Sequence, residues 1–176
     1  FMGGGRDKAE AQREEIARRD PVLGKLADAA IARYDEQPEV AERHYRAALD
    51  LAPLHTGARL ALAMFLQGHE RWDDVVSLWR DSLARDADDA VAHYQLGRYS
   101  ALTGKELEAG LAHLDRFVAL DVNRDSMSPG AAHWRRAQIL EKLGRLDEAI
   151  AALDRAVQLD PGLQFAHSDL KRLRGG

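Results

Sequence analysis

This sequence predicts an all-α fold: a solenoid of stacked helix-turn-helix units finished by a C-terminal capping helix. Two observations carry that prediction. Amphipathic helical segments with the same internal spacing return at intervals near 34 residues along the 176-residue chain. Between them, glycines and Asp-Pro or Ala-Pro pairs fall where helices must stop. There is no cysteine, so disulfides and thiolate chemistry are excluded.

The repeating segment is clearest in Pro38 to Pro53 and Leu146 to Pro161. The first carries Ala41, Tyr45, Ala48, Leu51 and Pro53, and the second Ala149, Leu153, Ala156, Leu159 and Pro161. Steps of four, three and three place these side chains on one face of a helix, and the proline ends it. Val75, Trp79 and Ser82 keep the same step 34 residues after the first segment, and Ala109, Leu114 and Phe117 follow with one extra residue. Ala9, Arg13, Ile16 and Pro21 offer the pattern at the N-terminal end, so five such second helices are expected.

Their partner helices lie between them. Three lead into the glycines Gly68, Gly104 and Gly144, and a fourth runs through Leu23 to Gln37. Each has a small residue near its middle: Ala29, Ala63, Gly97 and Ala137. Two antiparallel helices can approach closely only where a large side chain does not hold them apart. The expected units are residues 1–21 (second helix only), 22–55, 56–89, 90–129 and 130–162. Residues 163–174 form the capping helix, with Leu163, Ala166, Leu170 and Leu173 on one stripe and His167, Lys171 and Arg174 on the polar side. Asp121 to Gly130 is expected to be an extended loop. With no first helix before it, the N-terminal half unit should leave Ile16 partly uncovered, or covered by a second copy.

Leu96-Gly97, Gly144, and the two sets Ala41/Tyr45/Ala48/Pro53 and Ala149/Leu153/Ala156/Pro161 make the chain resemble the tetratricopeptide repeat family, in its bacterial type, over nearly its full length. That resemblance implies a right-handed superhelix whose first helices line the concave side. Asp28 and Arg136 depart from it, standing where the family usually has leucine, and Asp121 stands near a missing proline. Counting from the buried small residue, the position three earlier and the one after it face the concavity. These are Leu26 and Ala30, Leu60 and Met64, Tyr94 and Arg98, and Trp134 and Gln138, with Arg33, Tyr34, Gln95 and Arg135 beside them. Tyr, Trp and Arg supply much of the energy of buried interfaces, and Arg can grip a carboxylate with two parallel hydrogen bonds. The same Tyr94 and Trp134 could equally pack against neighbouring first helices. The lysine and asparagine clamp of family members that hold chaperone tails is missing, since Asn123 is the chain's one asparagine.

Composition narrows the function classes. The net charge of −4 comes from 25 basic and 29 acidic residues, interleaved rather than gathered in a stripe, which argues against nucleic acid as partner. No apolar run reaches the roughly 20 residues of a membrane span. A soluble chain, cytoplasmic or periplasmic, is expected, and the start at Phe1 suggests a piece of a longer chain. Asp121, Asn123 and Asp125 open like a calcium loop, but Ser126 and Ala132 stand where glycine and a bidentate glutamate are needed. Gly3 to Gly5 lack the Gly-Lys-Ser/Thr ending of a phosphate loop and suit a turn between helices. The seven histidines have no metal-ligand spacing, and His93 and His133 recur at equivalent places, which suggests structural repetition. Asp73-Asp74 and Asp88-Asp89 suit helix starts. No catalytic constellation is assembled, and no cofactor or metal is expected. The expected function is a non-catalytic scaffold that takes a peptide or protein surface in the groove. The alternatives are the scaffold part of a larger enzyme or exported assembly factor, and a small-ligand sensor.

Overall fold

The computed structural model describes residues 4–120 and 128–175, with side chains from residue 11 onward. Among the described residues there are ten α-helices and no strand. In chain order they are α1 (Gly4–Arg19), α2 (Pro21–Tyr34), α3 (Pro38–Leu51), α4 (Thr56–Gly68), α5 (Trp72–Arg85), α6 (Ala90–Thr103), α7 (Leu107–Ala119), α8 (Pro129–Lys142), α9 (Leu146–Leu159) and α10 (Gln164–Gly175). The chain forms two compact units, Phe1–Leu78 and Trp79–Gly176.

Local chemistry sets the helix starts. The Asp20 carboxylate accepts hydrogen bonds from the Val22 and Leu23 amides, and Pro21 begins α2 where no amide hydrogen is needed. Asp89 accepts from Ala92 N–H at the start of α6, and the Ser128 hydroxyl accepts from Gly130 and Ala131 at the start of α8. Asp73 and Asp74 lie in the first turn of α5, where carboxylates suit the positive helix end. Gly104 and Gly144 take left-handed backbone, with φ of 74° and 76°. Gly68 is not such a turn glycine. It is the last residue of α4, and Glu70 takes the positive φ of 57° instead.

In the first unit α2 packs against α1 and α3, and α4 packs against α3. In the second, α6 packs against α7 and α8, α8 against α9, and α9 against α10. The small residues mark the close approaches. Ala29 is fully buried, Ala63 and Ala137 are nearly so, and Gly97 is buried. A methyl group on Gly97 would lie 2.3 Å from Cγ of Leu114 and 3.0 Å from the Gly110 carbonyl oxygen. The core of the second unit runs through Leu111, Leu114, Phe117, Ile139, Leu140 and Leu153 to Ala166 of α10. Leu163, Leu170 and Leu173 pack against it, while His167, Lys171 and Arg174 are exposed, which is how an end helix closes a stack.

Three further details differ from expectation. Ala109 is exposed and Gly110 is buried, so the repeat in α7 is Gly110, Leu114 and Phe117, at the usual steps of four and three. Gly110 belongs there because a methyl group would meet Ser100 Cβ at 2.2 Å. Gly4 and Gly5 lie inside α1 rather than in a turn, and Gly3 is outside the described residues. Pro129 and Gly130 belong to α8, because Ser128 caps the helix ahead of them. The calcium-loop candidates Asp121, Asn123 and Asp125 lie outside the described residues.

The two departures from the leucine pattern are charged seams. Asp28 on α2, with its side chain only 11% exposed, lies 2.5 Å from Nε of Arg13 on α1 and 3.7 Å from Nδ1 of His44 on α3. Lys25 Nζ adds a contact at 3.5 Å. Arg136 on α8 pairs with Asp115 on α7 at 2.6 Å. Each of these two charges, partly buried, has a partner supplied by a neighbouring helix.

Candidate functional site: the first-helix faces

Burial of alternate turns against the second helix leaves the other side of each first helix available. In the first unit, α2 and α4 present Ala30, Arg33 and Tyr34, all exposed, with Leu26 and Leu60 half-buried and Met64 exposed. Tyr34 is 88% exposed and Met64 71%, the two largest values among the exposed large apolar side chains. The face therefore holds an aromatic ring and a flexible thioether in water.

In the second unit, the six candidates on α6 and α8 are all half-buried. Tyr94 packs edge-tilted on Phe117 of α7, with ring centroids 5.3 Å apart. Trp134 is drawn toward the end helix: its indole N–H donates to Asp169 at 2.8 Å, and its ring stacks on Phe165 at 5.4 Å. Both rings thus pack against neighbouring helices while staying half-buried. Arg98 lies 3.5 Å from the Gln95 side-chain oxygen. Arg135 donates to the Gln138 side-chain oxygen at 2.8 Å, and its guanidinium carbon sits 4.2 Å from the centroid of the Trp134 ring. Burial lowers the Arg135 pKa from its ordinary value, the neighbouring Tyr94 hydroxyl opposes this, and the positive charge of Arg98 adds to it.

Beside Gln138 opens a cleft of about 480 Å³, lined by Leu102, Glu141, Lys142, Asp169 and Arg172 among others. These residues were not among the sequence candidates. Leu102 and Lys142 lie one turn beyond Arg98 and Gln138 on the same helix faces, so extending the positional count by four residues would have found them. Arg172 grips Glu141 with two hydrogen bonds, at 2.6 and 2.8 Å, and lowers that carboxyl's pKa. This fixes α10 against α8.

His93 and His133, expected to be structural, differ in their surroundings. His93 is buried; its Nε2 donates to the Ala87 carbonyl oxygen at 3.0 Å, and its Nδ1 lies 3.0 Å from Nδ1 of His113 on α7. His133 is half-buried, and burial followed by the charges of Arg136 and Arg155 pushes its pKa down to about 4. Among the described residues no group of three His, Cys, Asp or Glu side chains gathers in metal-binding geometry, and no helix is long and apolar enough to cross a membrane.

Comparison with known proteins places this geometry. The profile of the tetratricopeptide repeat matches residues 130–163, the hairpin of α8 and α9. Human tetratricopeptide repeat protein 13 is 31% identical over 114 residues, covering 62% of this chain and 13% of that protein. This chain therefore spans a small part of the length of that relative. PilW, described as a widely conserved type IV pilus biogenesis factor, superposes with a TM-score of 0.71 at 20% identity, over 88% of this chain and 69% of its own. YrrB, described as a tetratricopeptide protein with an unusual peptide-binding site, superposes with a TM-score of 0.66 at 16% identity, over 95% and 86% of the two chains. With its buried small residues and paired antiparallel helices, the chain carries a tetratricopeptide repeat at residues 130–163 and is similar in fold to tetratricopeptide repeat proteins.

Proposed function

We propose that the chain is a non-catalytic interaction scaffold that docks a peptide or protein segment on its first-helix faces. The observation that supports this most is the exposure of Tyr34 and Met64 on α2 and α4, the highest among the exposed large apolar side chains of the described residues. Rigid helices hold these groups in place before binding, so docking orders little of the scaffold itself. YrrB, similar in fold, is described as having a peptide-binding site, which accords with the reading. The test is selection of binders from a displayed library of random 12-residue peptides, using the whole chain. Selected peptides should lose about tenfold or more in affinity for Tyr34→Ala or Met64→Asp, with melting temperatures unchanged. Undiminished binding to both variants refutes the site.

A second reading is that the chain is the scaffold part of a larger assembly factor, favoured by its likeness in fold to a pilus biogenesis factor. Capture of a multi-subunit assembly by the full-length natural protein, with the Tyr34→Ala variant failing to capture it, supports that reading. Capture of no assembly counts against it.

A further inference from the structure

Several arginines of the second unit have carboxylate partners. Arg116 pairs with Asp88, Arg136 with Asp115, Arg172 with Glu141 and Arg174 with Asp154, each through a carboxylate. Arg135 is set among uncharged neighbours: the Gln138 amide, the Trp134 ring and the Tyr94 hydroxyl. Among the described residues no carboxylate pairs with it, and its Nε is buried with no hydrogen-bond partner. It faces a second guanidinium, Arg98, from the adjacent first helix, close enough for one charge to bear on the other. A half-buried cation with neutral neighbours and a like charge beside it is unfavourable for folding, and the described residues supply Arg135 with no anion to offset it.

The missing element is an anion, and the surroundings restrict its form. Stacking of Arg135 on Trp134 fixes the plane of the guanidinium, so its fork offers parallel donors in one orientation, suited to a carboxylate. Leu102 is 44% exposed one turn beyond Arg98, and Tyr94 and Trp134 are only half-buried, which provides apolar contact for the chain carrying that carboxylate. Lys142, exposed and on the same side as Gln138, adds positive charge further along α8.

We propose that the first-helix face of the second unit binds an acidic peptide segment, one side-chain carboxylate of which bridges Arg98 and Arg135 while its apolar neighbours lie on Tyr94 and Leu102. This rests on the docking role above and names the chemical class of the partner.

The same displayed library tests it. Peptides selected by the whole chain should be enriched in Asp and Glu over the unselected pool. Synthetic copies with Glu replaced by Gln and Asp by Asn should bind about tenfold or more weakly, and so should the original peptides toward Arg98→Gln and Arg135→Gln. Amidating the peptide C-terminus should change little, and raised salt should weaken binding. Arg135→Gln should melt no lower than the wild type, because it removes an uncompensated charge. A selected pool without acidic enrichment overturns the proposal, as does undiminished binding of acidic peptides to both variants. Loss of affinity on amidation, or a requirement for phosphorylated residues, also overturns it as stated. Apolar peptides that depend on Met64 but not on Arg98 would leave the docking role standing and remove only the acidic partner. A library that yields no binder removes both.

Discussion

Gly97→Ala should destabilise the chain even though alanine is the better helix former. In α6 the exchange favours the helix by about 1 kcal/mol through backbone entropy. The new methyl, however, would lie 2.3 Å from Leu114 Cγ, 2.7 Å from Leu114 Cδ2 and 3.0 Å from the Gly110 carbonyl oxygen. Leu114 is fully buried and cannot swing away into solvent. Overpacking of this kind costs about 1–3 kcal/mol, and the nearness of backbone as well as side chain places it at the upper end. The expected net loss is therefore about 1–2 kcal/mol, read as a shift of the urea unfolding midpoint by circular dichroism. Leu114→Ala alone should cost about 2–5 kcal/mol by opening a cavity. In the double variant the methyl introduced at position 97 occupies part of that cavity, so the combined loss should fall short of the sum by about 1 kcal/mol or more. Losses that add to within about 0.5 kcal/mol, or a Gly97→Ala variant as stable as the wild type, would refute the argument that these helices meet at this residue.

Two further outcomes follow from the seams and the histidines. Asp28→Leu should cost less than about 1 kcal/mol in urea unfolding, although it removes the contacts with Arg13, Lys25 and His44, because an apolar side chain escapes the desolvation that offsets a buried ion pair. Asp28→Ala, which leaves both a gap and unmatched cations, should cost more. Stability should also fall as pH drops below about 6.5. Burial first, then neighbouring positive charge, holds the His133 and His113 pKa values below ordinary, so the unfolded chain takes up protons that the folded one resists. The sign is that of a depressed imidazole: full stability above the unfolded value, with the His133 contribution lost progressively down to about pH 4. For a half-exposed ring this amounts to about 1 kcal/mol after solvent screening. His133→Gln should flatten the slope of unfolding midpoint against pH between 6.5 and 5, and an unchanged slope would refute the assignment. Below pH 4.5 the Glu141 pair with Arg172 adds its own loss.

Much of the fold was legible because one physical demand repeats. Helix hairpins must meet closely at their middles, so Ala29, Ala63, Gly97 and Ala137 stood out at a fixed place in each first helix, and all four are buried. The phase of α7 was harder. Ala109 and Gly110 are both small, and only packing against Ser100 and Ile139 distinguishes them. Gly68 and Glu70 show a similar ambiguity, since a polar residue with positive φ can end a helix that glycine would usually end. On the candidate site, Tyr34 and Met64 lie exposed on their helices. Position along the helix could not show that Asp169 and Phe165, more than 30 residues later in the chain, reach back to hold Trp134. Nor could it show His93 meeting His113, a contact 20 residues apart made by the packing of two helices. Long-range partners of polar side chains depend on distances that periodicity does not contain.

The central claim is that partners lie on first helices rather than second. It is tested most directly by placing a photo-crosslinking amino acid in the whole chain, singly, at Met64 on α4 and at Ala151 on α9, both exposed. Illumination with the selected peptides should then give adducts from position 64 and none above background from position 151. Adducts mainly from position 151, or equally from both, would contradict the account.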